Sequence, residues 1–406
     1  MKKLVQVLLI LVLTVSLIGC SSTEKQEAAQ GVTDTEILIA NCAATSGAYA
    51  PIGVPFVAGI EAYVKYVNDQ GGINGRKIKF LHQDDEFDPG KGKACLQKMV
   101  EDEKVFAIVG HFGTPVVAAT LKDLKEWGIP TVYFATGIGQ LYNDNAQGED
   151  RIIYPVQPLY VTEGAIMVTR GVGDYNAKKI GIIYTNDDAG KDMLKGAQEK
   201  AKELGVELVE EQVAAGATDV SAAVTKIMSE DVDFIIGAAI QQTIPTIVKA
   251  LAAQNNTSPV ITTYVNVAPA ISNQIKDDIK GKFDVLGNGW VDFTQPSAVA
   301  ESEFYKANIA EEFHANAYAV TGWIAALTFV EGLRNMDADE VITWDNYMTA
   351  LESKPVVNPY GGEISFANGN RAGTQVMNLS KVDEAGATGW VEIKPLQSID
   401  EILGNK

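Results

Sequence analysis

Apolar runs that suit strands alternate along this chain with stretches whose apolar residues fall at helical spacing. Glu36–Cys42 (EILIANC) is the first run, Lys77–His82 the second and Val105–Val109 (VFAIV) the third. Five apolar residues in a row suit a strand covered on both faces, as in a parallel sheet. Between the runs, Val57, Ile60, Val64 and Val67 mark a helix over Val54–Asp69 that Gly71-Gly72 stop, with Asn74-Gly75 turning the chain into the next strand. A helix near Lys91–Asp102 and another ending at Trp127 follow. The strand Ile129–Phe134 and the loop Ala135–Gln140 complete this half.

Tyr154-Pro155-Val156-Gln157-Pro158 interrupts the alternation as a linker would, and the pattern then restarts. Helix Val161–Gly171 leads to strand Lys179–Tyr184, helix Gly190–Leu204 and strand Val206–Val213. Helix Val220–Ser229, strand Val232–Gly237, helix Ile244–Ala253 and strand Pro259–Thr263 come next. Strand and helix alternating in this way indicate a parallel sheet with helices on both faces, and the duplicated pattern indicates two such units. The fold class expected is therefore α/β, two doubly wound parallel-sheet lobes. Later, Phe283–Val291 reads as a strand that could cross back to the first lobe. Phe313–Leu333 reads as one long helix and Thr343–Leu351 as a shorter one. Residues from Asn358 onward read as a hairpin with Asn-Gly turn chemistry, and Gly386–Lys394 as a last strand.

Length and charge narrow this picture. A chain of 406 residues exceeds one ordinary core, in keeping with two domains. Fifty-two acidic residues against 33 basic give a net charge of −19, which disfavours nucleic acid as a partner. Residues 1–20 read as a leader. Lys2 and Lys3 precede the apolar run Leu4–Ile18, which is too short for a comfortable span and closes on Leu17-Ile18-Gly19-Cys20. That ending resembles a bacterial lipobox, which makes Cys20 the lipidation site and predicts an exported protein held at the outer face of the cytoplasmic membrane by lipid alone. Residues 21–34 read as a flexible tether. Cys42 and Cys95 remain; one bridge is conceivable, but two buried free thiols are the favoured reading.

The search for chemistry is mostly negative. No phosphate-binding loop, dinucleotide fingerprint or nucleophile elbow occurs, and His82, His111 and His314 form no H-x-x-x-H pair. Asp84-Asp85-Glu86 with Asp88 lacks the calcium-loop register and reads as a charged, solvated loop. No cofactor, metal or enzymatic activity is expected. The stretch after the third strand is the informative one. Gly110–Gly113 should turn the chain, and Thr114-Pro115 reads as a helix N-cap with proline at the first helical position. Such a helix start offers free N–H groups to a carboxylate; equally, Thr114 could cap only its own helix. Ligands of open α/β sheets sit outside the carboxyl ends of the strands. In the first lobe those ends carry 43–50, His111–Thr114 and 135–139; in the second, 185–190, 238–242 and 264–266.

Several stretches resemble the substrate-binding proteins of branched-chain amino acid ABC transporters: SGAYAPIG, NDQGGINGRKI, DDEFDP, VGHFGTPVVAA, YTNDDAGKDMLKGAQEKAKELG and PYGGEISF. The resemblance implies the type I periplasmic binding protein fold, two lobes joined by three crossovers with hinges near Pro155, Asn288 and Lys354–Pro359. Lobe one would comprise 35–155 and 289–356, and lobe two 156–288 and 357–400. It implies ABC permease subunits as partners and a small organic ligand, an amino acid or other carboxylate, with a ligand-sensing module as the alternative role. Thr114 and Ala135-Thr136-Gly137 would hold the carboxylate, and Tyr49 would cover the ligand. The tyrosine and acid that hold an ammonium in the family correspond to Ala189 and Val265, which puts an amino acid in doubt unless Asp187, Asp188 or Asn266 substitutes. The family's lobe-one cysteine pair has no match, Phe87 and Gly113 lying near those positions. His111, Phe112, Tyr264 and Trp323 could build an aromatic pocket, although Trp323 could equally be core; Gly113, Asp188 and Gln241 complete the candidate set.

Overall fold

The computed structural model describes residues 27–386 and 388–405. The leader and Cys20 lie outside the described residues. The first lobe runs β1 (Glu36–Ala43), α1 (Ala50–Asp69), β2 (Lys77–Asp84), α2 (Pro89–Gln97), β3 (Ala107–Phe112), α3 (Thr114–Trp127), β4 (Thr131–Ala135) and the short β5 (Ile153–Tyr154). Its strands are parallel in the order β2-β1-β3-β4-β5. The second lobe repeats the scheme with α4 (Tyr160–Tyr175), β6 (Lys179–Thr185), α5 (Asp188–Leu204), β7 (Glu207–Val213), α6 (Ser221–Ser229) and β8 (Phe234–Ala238). It continues with α7 (Thr243–Ala253), β9 (Val260–Thr262), α8 (Pro269–Ile279) and β10 (Val285–Gly289). The order β7-β6-β8-β9-β10 matches that of lobe one strand for strand, so the duplication read from the apolar pattern is a duplication of topology.

After β10 the chain returns to lobe one with α9 (Pro296–Asn308), α10 (Ala317–Arg334) and α11 (Trp344–Ser353). Helices α1 and α10 cross backbone to backbone. A Cβ at Gly59 or Gly322 would meet a carbonyl oxygen of the other helix at 1.9 Å, so both positions require glycine. β11 (Val356–Val357) then pairs with β12 (Glu363–Ile364). β13 (Val376–Val382) and β14 (Trp390–Ser398) extend the second sheet antiparallel beyond β10, and α12 (Ile399–Leu403) closes the chain.

Five expectations are corrected. Residues 29–34 are not tether: Ala29 N–H donates to the Ile342 carbonyl, Gln30 Nε2 to that of Val105, and Val32 bridges to Ile37. Cys42 and Cys95 are a disulfide, with Cα atoms 6.2 Å apart. Burial misleads here, because bridged and free cysteines are equally hidden, and only the packing of α2 beside β1 brings the two together. β3 continues through Gly110, His111 and Phe112, so the turn falls at Gly113 alone. Strand Val285–Gly289 belongs to the second sheet and does not cross back.

The third crossing is not a single step at Lys354–Pro359. The turn at 358–362 closes the β11–β12 hairpin, and Asn368-Gly369 lies in a single turn of 3-10 helix. Residues 365–371 stay against lobe one. Arg371 is fully buried, donates to Glu352 at 2.6 Å and to the Arg151 carbonyl at 2.9 Å, and stacks on Tyr154 at 4.3 Å. Gly361 and Gly362 of the turn already lie against Leu396 and Val376 of the second sheet, and after the return to lobe one the chain enters that sheet past Thr374, whose N–H donates to the Val156 carbonyl in the first crossing.

Candidate ligand-binding site

The carboxyl ends of β3 and β4 in lobe one face those of β8 and β9 in lobe two across a cleft of about 650 Å³. Its polar corner is built by the β3–α3 turn. Gly113 sits at φ 92, and a Cβ there would lie 2.6 Å from the Phe87 ring, so only glycine makes this turn. Gly113 is itself the N-cap residue, which puts Thr114 at the first helical position. The cap role expected for Thr114 is therefore wrong: its hydroxyl leaves its own helix and lies 2.8 Å from the Thr136 hydroxyl. The Tyr160 hydroxyl, its pKa pushed up to about 12 by burial, stands near both threonines. Three hydroxyls thus gather at the start of α3, whose first N–H groups have no intrahelical acceptor. That is a neutral seat for an anion.

Of the candidate set, Phe112, Gly113, Thr114, Ala135, Gln241 and Tyr264 line the cleft. Tyr49 stands beside it, stacked on the lining residue Phe87 with ring centroids 3.6 Å apart. Burial, then the nearby Asp187 of lobe two, raise its hydroxyl pKa. Thr136 acts through Thr114, and Gly137 through its carbonyl, which accepts from Tyr160 N–H at 2.7 Å. Asn266 is fully buried and serves the wall: its Oδ1 accepts from Gln241 N–H at 2.6 Å, while its amide donates to the Ala239 carbonyl and the Thr262 hydroxyl.

Four further candidates do not line the cleft. His111 alternates away from the cleft into the lobe-one core, within 2.7 Å of the Thr120 hydroxyl, and burial holds it neutral by lowering its pKa to about 3. Trp323 is fully buried among Tyr63, Tyr66 and Tyr305 and donates its indole N–H to Glu301 at 2.7 Å. Ala189 is fully buried in the lobe-two core. Asp188 is exposed and does not line the cleft. Asp187 caps α5 by accepting from Gly190 N–H at 2.9 Å. Val265 does line the cleft, and its carbonyl accepts from the Tyr318 hydroxyl of lobe one at 3.0 Å. Neither of the two positions that the family resemblance points to carries an acid, and the acids that line the cleft are Asp292 of the second crossing, Glu303 of α9 and Glu392 of β14.

Sequence reasoning missed much of the apolar wall: Ile52 and Phe56 from α1, Trp290 and Phe293 from the second crossing, Tyr305 from α9 and Tyr318 from α10. Gln157 and Tyr160 were within reach of inspection, since they flank the first linker, where a hinge meets the cleft. The acidic loop is structural: Asp88 caps α2, and Asp84 accepts from Thr45 and Glu86 N–H. Among the described residues no group of three or more His, Cys, Asp or Glu could hold a metal, and no helix is long and apolar enough to cross a membrane.

Two α/β lobes enclosing a mostly apolar cleft have the form of a small-molecule binding protein. The chain belongs to the periplasmic binding protein family, whose family model matches residues 36–387. It is 24% identical over 341 residues to a Leu/Ile/Val-binding protein homolog of Brucella abortus, covering 82% of this chain and 86% of the relative. It spans about half the length (53%) of an amino acid binding protein of Pseudomonas aeruginosa, with 26% identity over 201 residues. The fold is shared with a fatty acid ABC transporter substrate-binding protein from Thermomonospora curvata (TM-score 0.80, 21% identity, 94% and 96% of the two chains). It is shared too with an R. palustris solute-binding protein in complex with benzoate (TM-score 0.75, 20% identity, 91% and 99%).

Proposed function

We propose that this protein is a lipid-anchored extracytoplasmic receptor that delivers a carboxylate lacking an adjacent ammonium to an ABC importer. The observation that carries the reading is the pairing of a neutral corner (Thr114, Thr136, Tyr160 and the start of α3) with Val265 at the position where the family resemblance expects an acid, the cleft's own acids standing instead on the second crossing (Asp292), α9 (Glu303) and β14 (Glu392). A buried ammonium without an acidic partner costs several kcal/mol, on the order of the penalty for any unpaired buried charge. A bulky apolar body gains from the same wall, about 25 cal/mol per Å² removed from water. The fatty acid receptor and the benzoate complex among the structural neighbours suit this class of ligand. Capture changes no bond in the ligand; contact with both lobes favours the closed arrangement.

A thermal-shift panel of benzoate, phenylpropionate, octanoate, leucine and valine tests the ligand class. The aryl and alkyl acids are expected to raise the melting temperature more than the amino acids, and tight leucine binding would overturn the reading. For the anchor, Cys20→Ala protein is expected to leave the membrane fraction; retention there would contradict lipidation at Cys20.

A further inference from the structure

Behind the cleft wall lies a carboxylate that does not line the cleft. Glu163, in the first turn of α4, is fully buried. Three donors converge on it: the Thr263 hydroxyl at 2.6 Å, Tyr264 N–H at 2.8 Å and Asn288 Nδ2 at 3.2 Å. Thr263 and Tyr264 belong to the loop after β9, whose Tyr264 ring lines the cleft. Asn288 is the last but one residue of β10, just before Gly289 and Trp290, which line the cleft and lead into the second crossing. Tyr264 is held at its other end as well. Its hydroxyl shares one hydrogen between the Pro158 carbonyl at 3.0 Å and Gln157 Oε1 at 3.2 Å, both in the first crossing. Gln157 Nε2 in turn donates to the Tyr133 hydroxyl of lobe one at 2.8 Å.

We propose that Glu163 is a positioning residue for ligand capture, tying the Tyr264 loop to the crossing segments so that the ring is preset when the lobes close, a role that rests on the cleft being the ligand site. The case is one of donor count. An ionised carboxylate accepts all three bonds, whereas a proton or an amide on the same oxygens turns a hydrogen toward one of those donors. Such a loss is costly in a site with no water to replace it. Arg170, two turns further along α4, is the charged group that faces it, and its Nη2 donates to the Asn378 carbonyl at 3.2 Å. Tyr160 from α4 and Tyr264 from the loop are the titratable neighbours. Helix α5 packs on α4 through Met193 and Ala197, and β10 offers the neutral Asn288. Burial pushes the Glu163 carboxyl up to about 7, which makes pH a usable readout.

The test is calorimetric titration of the folded full chain with benzoate and octanoate, each between about pH 8 and pH 6, where both acids stay ionised. Wild-type binding is expected to weaken threefold or more toward pH 6. Glu163→Gln is expected to bind about tenfold more weakly at pH 8, the size of a lost hydrogen bond to a charged group, and to show a flat profile. Thr263→Val, which removes one donor and keeps the acid, is expected to shift the midpoint of the profile to higher pH, and it supplies the test if Glu163→Gln does not fold. Wild-type affinity and pH dependence in both variants would overturn the role of Glu163 alone. Failure of the wild-type protein to bind either acid at any pH would instead strike the reading of the cleft.

Discussion

At the scale of single residues, the site depends on where two hydroxyls point. Thr114 could have capped its own helix, and the residues 114–115 fit that reading. Instead Gly113 takes the cap position with φ 92, a conformation that threonine adopts only under strain, and the Thr114 hydroxyl is released toward Thr136. Thr114→Ala is expected to weaken binding of the acid ligand about tenfold while moving the urea midpoint little, since no cap is lost. Titration calorimetry beside urea unfolding checks this, and unchanged affinity would remove Thr114 from the seat. The same scale explains the errors at His111 and Trp323. A histidine in a strand after five apolar residues faces one side or the other according to register, and the bend at Gly110 (φ 79) decides which. Trp323 lies on a helix buried on nearly every face, where periodicity names no inner side.

Between elements, the informative cases are the two that sequence order conceals. Cys42 and Cys95 stand 53 residues apart, with α1 and β2 intervening, and composition gave no reason to pair them. Their bridge fastens the end of β1, beside the cleft, to α2. Cys95→Ser is expected to lower unfolding free energy by about 2–5 kcal/mol in oxidised protein. Urea unfolding of oxidised wild type and variant measures this, and equal midpoints would show the bridge to be dispensable. The other case is the passage at 365–374. Its Asn-Gly pair looked like the corner of a hairpin, yet the segment is pinned to lobe one by the fully buried Arg371 lying on Tyr154 and bonded to Glu352. A single arginine 220 positions from its carbonyl partner at Arg151 leaves no periodic trace, so the return to lobe one before β13 is not legible in the sequence.

For the whole molecule, buried titrating groups set how stability responds to pH. Glu163 and Asp85 are pushed up by burial to about 7 and about 6, so each binds its proton in the folded state before the unfolded chain does. Stability therefore rises as pH falls through those values and stops rising near the ordinary carboxylate range. His111 acts in the opposite sense. It is held neutral to about 3, so the unfolded chain takes up its proton first and stability drains away below about pH 6.5. With a net charge of −19, mild acidification also relieves self-repulsion. The urea midpoint is expected to peak on the acid side of neutrality, at about pH 5 to 6. A steady fall from pH 8 to pH 5 would show that the two acids do not carry the balance.

The sequence alone determined the alternation of apolar runs and helical spacings, and with it two similar α/β lobes, because burial on both faces of a parallel sheet demands continuous apolar strands. It also located the glycine turn and helix start that border the cleft to within a few residues, since such a turn is a local feature. The direction of each hydroxyl, the partner of each cysteine, the path of the last crossing and the buried carboxylate behind Tyr264 were decided by tertiary structure. Each depends on which distant segment comes to lie alongside, and hydrophobic periodicity records that a residue is buried without recording against what.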